Sequence, residues 1–350
     1  MSSACPPSTP PQSPSPSVVP ATPAELLRYV APRWLPTNHA QTIFPALFGR
    51  RPEVRYRRER WDTPDGDFID LDWIAPPPGL APAPDAPLMV VFHGLEGSSD
   101  SRYARLLMAA AQAQGWHGVV PHFRSCSGEL NRGPRFYHLA DADELDWILR
   151  RLAAGRRGPV FAVGVSLGGN VLLHWLGQRR GGRDVVAAAA AVSTPLDVHA
   201  GGRAISTGFS MIYTRAFLKT LKVKALAKLA QHPGLFDGKA ALAARNMHEY
   251  DDVVTAPLHG FRSADDYWTR ATVRPLLRAI DTPTLILNAR NDPFLPAAAL
   301  PGPGDVSAAV ELDQPEHGGH VGFTSGRFPG QDDWLPQRVF GFVSRFLDHG

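Results

Sequence analysis

The stretch that decides the fold is VFAVGVSLGGNVLLHWL, Val160 to Leu176. Its first half is a continuous apolar, β-branched run, the pattern of a strand buried on both faces, and its second half places apolar residues at helical spacing. Between the halves stands Ser166, with Gly164, Gly168 and Gly169 around it. A chain that passes from strand to helix in so few residues strains the serine backbone and lifts its hydroxyl clear of the sheet edge. Side chains two positions to either side would collide, hence Gly164 and Gly168. The helix that follows points free N–H groups and its dipole at the serine, which favours negative charge there. The stretch reads as a nucleophile elbow with Ser166 as the nucleophile.

Strand-like and helix-like segments alternate on both sides of it. LMVVFHG, WHGVVPHFR and DVVAAAAAVST read as buried strands, and SRYARLLMAAAQAQG and ADADELDWILRRLAA as helices between them, which predicts a mostly parallel sheet with helices on both faces. Earlier, alternation around Pro64-Asp65-Gly66 predicts an antiparallel hairpin between Val54 and Ala75. The organisation expected is a Pro/Ser-rich disordered tail over 1–23, a first part of an α/β core over 24–194, a helical cap inserted over 195–281, and a second part of the core over 282–350.

Bulk composition removes several function classes. Thirty-six basic residues against thirty-three acidic give a net charge of +3, without the concentrated basic surface that nucleic-acid binding requires. The two cysteines, Cys5 and Cys126, allow no disulfide framework and no cysteine-rich metal site. No HExxH-type pair occurs among the histidines, so no metal and no cofactor are expected. With neither a signal peptide nor an apolar run of membrane-spanning length, a cytoplasmic location is expected. TRAFLKTLKVKALAKLA carries Arg215, Lys219, Lys222, Lys224 and Lys228 without an acid. It reads as a solvated helix face, with at most weak contact to anionic lipid as the rival reading. Arg124, Arg132 and Arg135 are expected to brace their own loop rather than grip a phosphate.

A serine hydroxyl needs a base, and the base an orienting acid. PTLILNARNDPFLP ends a strand and presents Asp292 in a proline-bounded loop at the carboxyl end of the sheet. Asp281 and Asp305 rank below it, since the first precedes that strand and the second opens the next. In EHGGHVGF, His320 ranks ahead of His317, because the apolar residues after it can hold the ring. The oxyanion calls for two backbone donors, expected from Leu167, directly after the nucleophile, and from Leu95 in the loop FHGLEGSS. His93 and His174 are expected to be structural.

The stretches HGLEGSSDSRYARLL, FRSCSGELNRGPRFYH, VGVSLGGNVLLHWLG, YDDVVTAPLHGF, LNARNDPFLP and GGHVGF, in this order, resemble the YheT-like branch of the α/β-hydrolase superfamily. The resemblance runs from about Trp34 to the C-terminus and implies an α/β-hydrolase fold with Ser166 as nucleophile, Asp292 as acid and His320 as base. It departs from the pattern at Ser125, where glycine is expected, and at HLAD, residues 138–141, where HSG is expected. The activity implied is cleavage of a small-molecule carboxylic ester; the apolar and aromatic residues of GFSMIYTRAFLKTL and YDDVVTAPLHGF, which either line an acyl pocket or only pack the helical insertion on the sheet, point to a short- to medium-chain acyl group, monoacylglycerol included. The same triad would serve an acyltransferase, and a non-enzymatic binder of acyl ligands is the reading from another class.

Overall fold

The structure is a computed structural model that describes residues 28–349 except 77–78, 80 and 179–181. The expected tail over 1–23 lies outside the described residues. The elements in chain order are α1 (Asn38–Phe48), β1 (Tyr56–Asp62), β2 (Phe68–Ile74), β3 (Leu88–Phe92), α2 (Arg102–Ala113), β4 (His117–Pro121), α3 (Ala142–Ala153), β5 (Val160–Val165), α4 (Leu167–Gln178) and β6 (Ala188–Val192). The chain then leaves the sheet for α5 (Val198–Ile205), α6 (Met211–Gln231), α7 (Gly238–Ala243), α8 (Met247–Tyr250), a π-helical turn (Asp251–Thr255), α9 (Ala256–His259) and α10 (Ala264–Ala271). It returns through β7 (Thr284–Leu287) and β8 (Val310–Asp313) to α11 (Trp334–Val343).

The eight strands form one sheet in the order β1-β2-β4-β3-β5-β6-β7-β8. β1 and β2 are the antiparallel hairpin, β2 joins β4 antiparallel, and every other pairing is parallel. This is the mostly parallel α/β sheet that the uninterrupted apolar runs predict: β3, β5 and β6 are buried at every position. One face packs on α3 and α4 through Leu145, Ile148, Leu149 and Leu172, the other on α2 and α11 through Leu107, Met108, Val339 and Phe340. β6 consists of four alanines and a valine, good helix formers, yet it pairs with β5 and β7 in the middle of the sheet. Burial between two strands outweighs a helix preference of a few tenths of a kcal/mol, or roughly that, per residue.

The helices between β6 and β7 have a core of their own, built on Leu218, Leu221, Met247, Tyr250 and Trp268, which touches Leu95 and Leu139 of the sheet domain's loops. We propose that this segment, 195–281, acts as a cap over the carboxyl edge of the sheet.

Candidate active site

Ser166 sits where β5 hands over to α4, with φ at +54°, the left-handed region that a serine enters only at a cost. The glycines explain themselves by distance. A Cβ on Gly164 would lie 2.4 Å from the Gly168 carbonyl oxygen, and one on Gly168 would lie 2.4 Å from the carbonyl oxygen of Phe92 in β3. The elbow therefore packs backbone on backbone, and the half-buried serine is held above the sheet.

His320 Nε2 is 3.1 Å from Ser166 Oγ, and His320 Nδ1 is 2.9 Å from Asp292 Oδ2. The Asp292 side chain is buried, and its other oxygen accepts the backbone N–H of Phe294 at 2.8 Å. A carboxylate at Nδ1 keeps the proton there and leaves Nε2 free to accept the serine proton. The Phe294 ring lies flat against the imidazole, 3.8 Å between centroids at an angle of 5°.

The loop that carries His320 is over-determined. Thr42 Oγ1 accepts the N–H of His320 and Gln41 Oε1 that of Gly318, both from α1. Ser193 Oγ accepts the N–H of Val321, and Arg102 donates to the carbonyls of Val321 and Gly322 while pairing with Asp332 at 3.0 Å. Val321 adopts φ +57°, strained for a β-branched residue, and these bonds hold it there.

The rival residues stand elsewhere. His317 is exposed, Asp281 is exposed ahead of β7, and Asp305 pairs with Arg274 at 2.9 Å. His93 is buried; its Nδ1 bonds the Gly94 carbonyl and its Nε2 accepts the N–H of Phe123, while burial pushes its pKa down to about 3. It is a neutral loop brace. His174 is likewise buried, and burial lowers its pKa to about 4. Arg124 binds Asp65, Asp67 and Glu144, Arg132 reaches Asp62, and Arg135 pairs with Asp141, so all three tie the loop to its neighbours.

Around the expected oxyanion donor, alternate amides are occupied. Gly94 N–H donates to the Tyr103 hydroxyl at 2.7 Å and Glu96 N–H to the Tyr137 hydroxyl at 2.8 Å. Leu95 N–H, between them, has no hydrogen-bond partner among the described residues. Leu167 opens α4, so its N–H has no acceptor within the helix. Glu96, at φ +57°, is itself tied twice: the Tyr137 hydroxyl donates to its Oε1 at 3.0 Å, and Lys224 of α6 meets the same oxygen at 2.8 Å.

That last contact corrects the reading of the basic run as a solvated face. Lys222 donates to the carbonyls of Leu242 and Ala244, Lys224 to Glu96, and the fully buried Lys228 to the carbonyls of Asn131 and Gly133. Only Arg215 and Lys219 of the five face outward. The run has no acid to reveal its facing, and the acceptors that draw the lysines inward lie as far as 128 residues away in the chain.

A cavity of about 110 Å³ opens at the serine, walled by Leu95, Leu167, Val198, Ile205, Phe217 and Trp268 among others, with Ser166 and His320 at its floor. Behind Leu95, Leu139, Leu167 and Met247 lies a second of about 90 Å³, reaching Tyr137, Lys224 and Tyr250. Asp251, on the π-helical turn, borders both; Thr255 and Trp268 donate to it at 2.6 and 2.8 Å, and burial raises its pKa to about 6. Among the described residues no cluster of metal-binding side chains occurs, and no helix is long and apolar enough to cross a membrane.

Residues 87–326 match the family model described as alpha/beta hydrolase fold. The chain is 41% identical over 324 residues to the Escherichia coli K12 protein named "Putative esterase YheT", covering 91% of this chain and 94% of that protein. It is 28% identical to human "Phospholipase ABHD3", over 91% of this chain and 78% of that protein. Among solved structures, an esterase from Pyrococcus furiosus superposes with a TM-score of 0.53 at 16% identity, covering 84% of this chain and 92% of that one, which speaks to the fold alone.

Proposed function

Because the chain belongs to the α/β hydrolase fold family, on its YheT-like branch, we propose that it cleaves carboxylic esters of short- to medium-chain acyl groups, monoacylglycerols included, through a serine acyl-enzyme. It is a carboxylic ester hydrolase. The observation that carries the mechanism is His320, which bridges the two other residues: Nδ1–H donates to the buried Asp292 and Nε2 accepts from the Ser166 hydroxyl.

Ser166 Oγ attacks the ester carbonyl while its proton passes to His320 Nε2, and Asp292 stabilises the imidazolium. The carbonyl oxygen, now negative, takes hydrogen bonds from the N–H groups of Leu95 and Leu167. The intermediate collapses, the C–O bond to the alcohol breaks, and His320 returns the proton to the departing alkoxide. Water then adds to the acyl-enzyme, giving a proton to His320; the acid leaves as Ser166 recovers that proton.

The acyl reading draws on the cavity. At about 110 Å³ it is somewhat smaller than an engineered cavity of about 150 Å³ that accepts benzene, which suits an acyl group of a few carbons. Longer chains need the second space behind Leu139 and Met247.

Intact mass after fluorophosphonate treatment tests the nucleophile: one adduct on the wild type, none on Ser166→Ala, supports it, and an adduct that persists in the variant overturns it. A nitrophenyl ester series tests the acyl reading: kcat/KM should rise from acetate towards octanoate, and a fall beyond acetate would refute it.

A further inference from the structure

The helix α6 carries apolar residues on both sides: Leu218, Leu221 and Ala225 pack inward, yet its outward side is not the polar face expected of a helix that meets water. Its inward side carries Lys222, Lys224 and Lys228, each bonded to acceptors beneath it. Its outward side exposes Ile212, Val223 and Leu226, with Phe209 before it and Leu242 of α7 beside it. Val223 is 66% exposed and Phe209 58%. Positions 212, 216, 219, 223, 226 and 230 recur at helical spacing, so Ile212 to Ala230 share one face of about 27 Å that is apolar except for the exposed Lys219.

The charge around this stripe is one-sided. From Val198 to His248 the chain has eight lysines and arginines against one acid, Asp237, although the whole chain is only +3. Arg203, Arg215, Lys219, Lys239 and Arg245 are exposed. An apolar stripe flanked by cations fits the boundary between anionic headgroups and acyl chains. The stripe also connects inward: Phe209 packs on His39, His39 bonds the Tyr213 hydroxyl at 3.0 Å, Tyr213 packs on Phe294, and Phe294 lies on His320.

We propose that the outer face of α6 rests on an anionic lipid surface, holding the cap against the bilayer. This lipid contact is independent of the acyl-enzyme reading, and its location differs from the one expected of the lysine run, since it uses the apolar side of the helix.

Flotation of the full chain with vesicles of phosphatidylcholine and phosphatidylglycerol, against vesicles of phosphatidylcholine alone, reads the contact. The chain should float with the anionic vesicles, less so as salt rises, and Val223→Glu should weaken binding about tenfold or more. The variant should melt and react with fluorophosphonate as the wild type does, because Val223 touches neither core nor site. Absence of binding to anionic vesicles, or binding that Val223→Glu leaves unchanged, overturns the proposal. So does a wild-type dimer in light scattering that Val223→Glu dissociates without any vesicle binding, which would assign the stripe to a second copy.

Discussion

Lys224→Met asks whether the helical segment above the sheet helps to hold the oxyanion loop. In the wild type Lys224 Nζ meets Glu96 Oε1 at 2.8 Å, the lysine side chain 26% exposed and the glutamate 9%. Exposed pairs contribute about 0.2–1 kcal/mol, and removing one partner of a fully buried pair costs about 3–5 kcal/mol. The intermediate burial here places the loss near the middle, about 2 kcal/mol of stability. Methionine keeps the stem in place, so the charge is what is removed. Glu96 would retain the Tyr137 hydroxyl as its tie while still adopting φ +57° directly after Leu95. Deleting an oxyanion donor outright lowers kcat by about 10²–10³. A donor that is present but loosely held should lose less, about tenfold in kcat, or about 1.4 kcal/mol of barrier. The assay is steady-state hydrolysis of nitrophenyl butyrate beside thermal melting, with Lys224→Arg as the variant that restores the ion pair. A lowered kcat with little change in KM, rescued by arginine, is expected. An unchanged kcat in a protein whose melting temperature has dropped would refute the reasoning, because the ion pair would then fasten the helix and nothing more.

Asp292→Asn should lower kcat by about 10⁴, since an amide at Nδ1 favours the wrong imidazole tautomer while the fold persists; a loss under tenfold would remove Asp292 from the proposed role. Ala140, at φ +68° where the family resemblance leads one to expect glycine, should gain from Ala140→Gly. Relief of about 1 kcal/mol of left-handed strain, less the extra freedom of glycine in the unfolded chain, leaves about 0.5 kcal/mol, read as a higher melting temperature. A lower one would show that the strain is absent. Asp251 holds its proton more tightly folded than unfolded, so the stability it lends is full below about pH 4 and lost as pH rises towards about 6. Between those limits the denaturation free energy of Asp251→Asn should gain on the wild type by up to about 3 kcal/mol, and a pH-independent gap would mean the carboxyl is already charged in the acid range.

The sheet and the three candidate residues were legible because each announces itself within a short window. Ser166 has glycines packed against backbone, Asp292 follows a buried strand into a proline-bounded loop, and His320 stands among glycines. What supports them was not legible. Gln41 and Thr42 hold the His320 loop from some 280 residues away, and Tyr137 reaches Glu96 across 41. No local period encodes such contacts. Phe294 was the exception that adjacency could have flagged, since it follows Asp292 by two residues. The facing of α6 was misread for a related reason: a lysine's direction depends on where the nearest unpaired carbonyl lies, and that is a property of the assembled molecule.

Lys228 carries a consequence for how molecules come and go. It is fully buried, and it joins α6 to the carbonyls of Asn131 and Gly133, while Asn131 in turn bonds Asp67 and the Phe68 carbonyl at the hairpin turn. Swinging the helices away as a lid would strand an ammonium group and several carbonyls at once, a barrier of several hydrogen bonds on every turnover. Access that leaves the Lys228 contacts in place avoids that cost.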